Sequence, residues 1–334
     1  MIAPQAKLYH KIPDDWEPIV YSKKIDDKTN DNVVFTNVFN RDYEGELRGI
    51  GSELVIRSWP DIKVNDYILD TPINPQRVDS RSKHVKVGRA WEASFVLDGW
   101  DLMNTDIKGW ESKRSSLIAV RLAEFLEDKW FREAPATLAA AAVDVPEAAR
   151  NIGNSAGFNG DIKLGEPNQA IELMIEKPAS TFGAYQRNVV DYFYDCDMVL
   201  SRQKGASAAT KKFIICAPEV FDKLRRFDAF ERSHAAPELA TMLRADIMSA
   251  GKIPVTGMDV YISNRLKAVG TSGGKSIYPV YFGDTRAWTY ADLVSKTGIK
   301  EDPKIPEVQY EWHIGAYDWF LAAPEYFGVG FVAV

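Results

Sequence analysis

Apolar residues return at helical spacing in two long stretches of the chain. Across 106–134, Ile118, Leu122, Phe125 and Leu126 fall at i, i+4, i+7 and i+8, while Lys113, Glu124, Glu127 and Asp128 occupy much of the remainder. This spacing predicts a helix of ~40 Å at about 1.5 Å per residue, ended by Pro135. Across 186–204, Val189, Phe193, Cys196 and Leu200 form a second apolar face. Arg202 and Lys204 in its last turn complement the helix dipole, and Gly205 suits a C-terminal cap.

Residues 45–98 follow a different pattern. Gly51–Trp59 and His84–Leu97 read as the two sides of a ribbon, joined by a Pro-punctuated, increasingly basic stretch from Pro60 to Lys83. Each side reaches ~60 Å if fully extended, at about 3.3 Å per residue. A two-stranded ribbon alone is marginal in water, because its apolar face has no third layer. Support from another molecule would supply that layer, which points to assembly.

The remaining segments alternate in type. Residues 1–32 are polar and broken by Pro4, Pro13 and Pro18, as expected of an extended arm, and the apolar segment 33–39 anchors it, as helix or strand. Residues 144–187 predict loops around short helices near 146–151 and 167–176. Lys212–Cys216 predicts a buried strand, and Pro218 opens a helix over 218–226. A helix near 237–249, a strand over 258–262, a Gly-rich turn at 270–274, a strand over 277–282 and a helix near 287–295 follow. The tail, 308–334, is aromatic and strand-like.

With 334 residues, 46% hydrophobic and 26% charged, the chain has the composition of a folded, soluble protein with a large core. Its formal net charge of −6 disfavours nucleic-acid recognition, which needs a dense basic surface. The local exception is 77–89, where Arg77, Arg81, Lys83, Lys86 and Arg89 face one acid, Asp79. Only two cysteines occur, so no disulfide framework is implied and a reducing cytosol fits. The N-terminus lacks a secretory-signal pattern, and no apolar run approaches the ~20 residues that span a bilayer.

Candidate chemistry is sparse. Gly270-Thr-Ser-Gly-Gly274-Lys275-Ser276 resembles a phosphate-binding loop, but three residues rather than four separate Gly270 from Gly274. A strand signal also follows it where a helix should open, so a hairpin turn is expected. Cys196 and Cys216 occupy apolar positions, where cysteine behaves as a small hydrophobe. His10, His84, His234 and His313 are scattered without metal-ligand spacing. Asp191 and Asp195 share a helix face while Asp197 points elsewhere, as in a solvated face or a subunit contact. No catalytic, cofactor or metal residue is assigned.

The succession of elements resembles the tailed-bacteriophage major capsid proteins of the Hong Kong 97-type fold. Asn40–Leu47, Gly51–Ile56 and Ile62–Tyr67 look like the entry to that family's extended loop, and Trp91–Asp98 like its return strand. Lys212–Phe221 resembles the family's strand-Pro-Glu-helix segment, and Gly257–Asn264 its glycine, apolar strand, Ser-Asn stretch. The resemblance implies an α+β fold with an N-terminal arm (1–44) and an extended two-stranded loop (45–98). It implies a peripheral domain (99–150 and 303–321) with a spine helix over 106–134, and an axial α/β domain (151–302 and 322–334). It further implies a non-enzymatic shell subunit forming hexamers and pentamers around packaged double-stranded DNA, which it binds without sequence specificity, and no membrane. Assembly in the host bacterial cytoplasm, a place in the virion, and portal, scaffolding and decoration proteins as partners follow from the same resemblance. Trp59, Tyr67, Arg77, Arg81, Lys83, Lys86 and Arg89 are then expected at the contact between subunits. Some family members crosslink Lys to Asn, and others remove an N-terminal segment. No Lys–Asn–Glu trio stands out here, and a long fused segment is not expected ahead of the arm. An encapsulin-like nanocompartment, or a cytosolic α/β nucleotide-using enzyme built on Gly270–Ser276, are the alternatives.

Overall fold

The computed structural model describes residues 34–40, 53–58, 64, 66, 81–98, 110–154, 162–175, 183–202, 211–226, 257–301 and 308–334. The expected helix near 237–249 lies outside these residues. A short helix, α1 (Phe35–Val38), precedes a hairpin of β1 (Glu53–Ser58) and β2 (Arg81–Lys86). Next come β3 (Arg89–Asp98), the long helix α2 (Trp110–Asp144) and α3 (Pro146–Ala149). Then follow β4 (Ile171–Met174), β5 (Gln186–Asn188), α4 (Val189–Ser201), β6 (Lys212–Cys216) and α5 (Pro218–Arg225). The chain closes with β7 (Asp259–Ile262), β8 (Gly270–Ser272), β9 (Lys275–Asp284), β10 (Trp288–Glu301), β11 (Val308–Leu321) and β12 (Phe327–Ala333).

Three sheets result among the described residues. The hairpin stands as its own two-stranded sheet, β10-β11-β3 forms an antiparallel sheet, and the largest sheet runs β5-β4-β12-β9-β6-β7 with β8 against β9. The fold is α+β. Several elements differ from the sequence pattern. The ribbon over 45–98 is not a single unsupported arm, because β3 pairs along its whole length with β11 of the same chain. Residues 171–174 form a strand rather than part of a helix, and 288–301 form β10. Trp288, Thr289 and Tyr290 are all buried, so neither helical nor alternating periodicity is visible there, and pairing with β11 decides the conformation.

Helix α2 is 35 residues long, ~52 Å at about 1.5 Å per residue, and passes through Pro135 instead of ending there. Proline lacks the N–H that would bond the carbonyl four residues back, which is that of Phe131. The Tyr281 hydroxyl, from β9, donates to that carbonyl at 2.7 Å. Leu138 and Ala139–Ala142, strong helix formers, carry the helix onward. Its buried seam is Leu126, Trp130, Ala134 and Leu138, each at most 4% exposed. Trp130 meets Phe39, Tyr281, Trp288 and Phe327 at centroid distances of 5.2–5.9 Å, joining helix, arm anchor and both larger sheets.

The acids expected on the solvent face of this helix are partly buried instead. Glu127 is fully buried and accepts from Val34 N–H at 2.9 Å and Ser263 Oγ at 2.5 Å. Arg265 pairs with Asp128 at 2.5 Å and with the buried Glu124 at 3.6 Å. Buried carboxylates persist only where such partners offset their lost hydration. Through them the arm anchor α1, the long helix and the β7–β8 connection are tied together.

Candidate functional site

The hairpin sets the site apart. β1 and β2 pair from Glu53↔Lys86 to Ser58↔Arg81 and form a sheet of their own, hydrogen-bonded to no other strand among the described residues. Directly opposed residues share a face, so the register puts Leu54, Ile56 and Val85 on one face together with Lys83 and Arg81. Its apolar pair, Leu54–Val85, stands toward the foot, and basic positions stand opposite Ile56 and Ser58 toward the outer end. Of the contact residues expected from sequence, Trp59, Tyr67 and Arg77 lie outside the described residues. Arg81 and Lys83 lie on β2, and Lys86 is exposed at the strand's end.

Arg89 behaves differently from this group. Its guanidinium donates to Glu133 Oε2 at 2.6 Å, approaches Asp318 Oδ1 to 3.4 Å and sits 4.5 Å from the Trp319 ring centroid. It is engaged by α2 and β11 of its own chain. No local pattern signals this, because Glu133 lies 44 positions away and Asp318 far beyond that.

Beside the hairpin's foot, β3 and the first half of α2 enclose a groove of about 400 Å³. Trp91, Phe95, Ile118, Leu122 and Phe125 line it, with Glu92 and Arg121 at its polar edge. The apolar stripe expected to face the core is thus divided. Leu126 enters the core and Leu122 packs against it while also lining the groove, whereas Ile118 and the 47%-exposed Phe125 border the groove. Trp91 packs against Gly315 of β11, where an added Cβ would sit 2.3 Å from the indole.

The remaining candidates resolve into structural roles. Gly270–Ser276 forms the β8–β9 hairpin, with Gly273 and Gly274 at φ +58° and +79°, values suited to a tight two-residue turn. Lys275 pairs with Glu172, and this hydrogen bond, followed by one from Gln186, holds the Glu172 carboxyl below its ordinary pKa. Cys196 and Cys216 are fully buried, and burial pushes the Cys216 thiol up to about 12 and raises Cys196 as well. Neither is a poised thiolate. Asp195 faces Arg187 at 3.6 Å with its pKa raised by burial, and Asp197 pairs with Lys212 at 2.8 Å. Among the described residues no cluster of His, Cys, Asp and Glu could hold a metal, and no helix is long and apolar enough to cross a membrane.

No protein-family model matches the chain, and no curated protein matches it in sequence. Solved structures do match it. A chain from the structure of Mycobacterium phage Che8 is 13% identical, with a TM-score of 0.58 over 95% of this chain and 97% of that one. A chain from the capsid asymmetric unit of cyanophage Pam1 is 13% identical, with a TM-score of 0.57 over 96% and 97%. One from the mature capsid of bacteriophage PhiM1 is 11% identical, with a TM-score of 0.56 over 94% and 91%. Over nearly its entire length, then, this chain has the α+β fold of phage capsid chains.

Proposed function

We propose that the chain is the major capsid protein of a tailed double-stranded DNA bacteriophage, a structural subunit that assembles into the head shell. The observation that carries this reading is a hairpin that forms a two-stranded sheet of its own, paired with no other strand among the described residues. A ribbon of this kind becomes stable when a third layer covers it. A second copy supplies that layer, its β3–α2 body receiving the hairpin along the apolar groove. The shared fold with capsid chains supports the same conclusion. Trp59, Tyr67, Arg77, Arg81, Lys83 and Lys86 then face the neighbour. Around a closed hexamer or pentamer each subunit both gives and receives a hairpin, so removing one breaks two contacts at once. The chain's net charge of −6 suits a container that must not adhere to packaged DNA. Portal, scaffolding and decoration proteins would complete the particle.

Deletion of 60–83 tests this. The expected product is a folded, soluble subunit with an intact body that forms no closed shells in negative-stain micrographs, while the parent chain does. Normal shells from the deleted chain would remove the hairpin from the assembly mechanism.

A further inference from the structure

At the hairpin's foot, three consecutive residues are held by three different kinds of contact. Val87 is buried at 2% exposure against Ala291 of β10 and Ala316 of β11. Gly88 N–H donates to Asp318 Oδ2 at 3.3 Å. Arg89 follows with its ion pairs to Glu133 and Asp318 and its stacking on Trp319. Asp318 also accepts from the Trp319 N–H at 2.9 Å, which fixes its own carboxylate. One such tie would leave rotation about itself. Three ties at successive residues, reaching α2, β10 and β11, remove that freedom where β2 ends and β3 begins.

We propose that residues 87–89 form a fixed pivot, which sets the direction in which the hairpin leaves the body before any neighbour binds, with Arg89 as its positioning residue. The proposal deepens the shell reading and rests on it. A planar guanidinium that bridges two carboxylates and stacks on an indole constrains orientation as well as charge, which lysine's point charge does not. A hairpin already aimed loses less orientational freedom on docking than one that swings about a loose foot. The basic stretch therefore divides by role: the residues along β2 meet the neighbour, and Arg89 aims them.

The test is a distance measurement within one chain. Spin labels at S58C, on the far end of β1, and V143C, 82% exposed on α2, report the hairpin's direction by pulsed electron double resonance. The native Cys196 and Cys216 are buried and do not take up label in the folded protein. On the monomeric fraction of the full chain, the parent is expected to give one narrow distance, and R89Q to lose it while keeping the parent's near-ultraviolet circular dichroism. If R89Q does not fold, D318A removes the acceptor shared by Gly88 and Arg89 and is expected to give the same loss. A parent with no preferred distance overturns the pivot, as does retention of the narrow distance in both variants. A parent with a narrow distance, lost in R89Q, that never forms shells upholds the pivot and sinks the shell reading instead.

Discussion

Replacing Tyr281 with Phe asks why a proline is tolerated inside α2. The native hydroxyl is buried and donates to the Phe131 carbonyl, the acceptor that Pro135 leaves without a helical partner. Burial pushes the Tyr281 pKa above its ordinary value, which favours the protonated donor. Without the hydroxyl the carbonyl remains buried and unsatisfied, a cost of about 1–3 kcal/mol. The ring stacks on Phe131 at 5.4 Å and Phe327 at 6.1 Å contribute little to the difference, because Phe keeps them. A double-mutant cycle isolates the cause. In a P135A background the backbone N–H restored at that position reaches the Phe131 carbonyl. Y281F should then cost less by ~1 kcal/mol or more, a coupling typical of residues sharing one partner. Urea unfolding followed by tryptophan fluorescence reads this directly, since Trp130 and Trp288 adjoin the site. Strictly additive effects of Y281F and P135A would refute the account, and so would a Y281F variant as stable as its parent.

Two further changes probe the body. G315A forces a Cβ into the Trp91 indole and should destabilise by ~1–3 kcal/mol through overpacking, with the loss appearing as a lower urea midpoint. K275A should leave shell formation unchanged and abolish no nucleotide binding, since the Gly270–Ser276 segment is a hairpin turn. Its effect should be a loss of stability at neutral pH that fades toward acid. Glu172 has its pKa lowered in the fold, so the pair stabilises above the ordinary carboxylate range and loses that contribution as pH falls through the lowered value. The parent and K275A stability curves should therefore converge toward low pH, and curves separated by a constant amount at every pH would contradict the assignment.

Legibility in the sequence follows periodicity. Helix α4 is visible because Val189, Phe193, Cys196 and Leu200 are all buried on one face, as their spacing predicts. β6 is visible as a short apolar run bounded by Lys211 and Pro218. The strand at 288–301 is not, because the consecutive residues Trp288–Tyr290 are all covered and its partner lies at 308–321. The full extent of α2 is hidden because the remedy for Pro135 is a hydroxyl 150 positions beyond Phe131. Glu127 reads as a solvent position because its partners, Val34 and Ser263, are remote in sequence, and Glu124 because its local pairing with Arg121 looks like a surface ion pair while Arg265 is remote. The hairpin is legible in outline, yet its boundary with the body at 87–89 requires the register of β3 on β11. What sequence cannot display, in each case, is a polar or packing partner supplied from far along the chain.

The division between the tied foot at 87–89 and a hairpin that is a sheet of its own has an energetic consequence for the proposed assembly. Fully burying an aliphatic side chain is worth about 1.5–3 kcal/mol, so a neighbour that took Leu54, Ile56 and Val85 fully out of water would gain at most ~5–9 kcal/mol before costs. Association consumes at least ~4 kcal/mol of rigid-body freedom, and each immobilised side chain a further ~0.5–1.5. A single hairpin contact thus comes out near balance, too weak to hold two subunits together by itself. In the proposed shell a closed ring would alter that, because its last subunit would dock through two contacts while losing its rigid-body freedom once. Weak single contacts would let misplaced subunits leave, and closure would retain the correct ones. A loose foot would add a further ordering cost to every contact and tip that near balance toward dissociation, and for this reason the ties at 87–89 belong in the body's structure rather than in the interface.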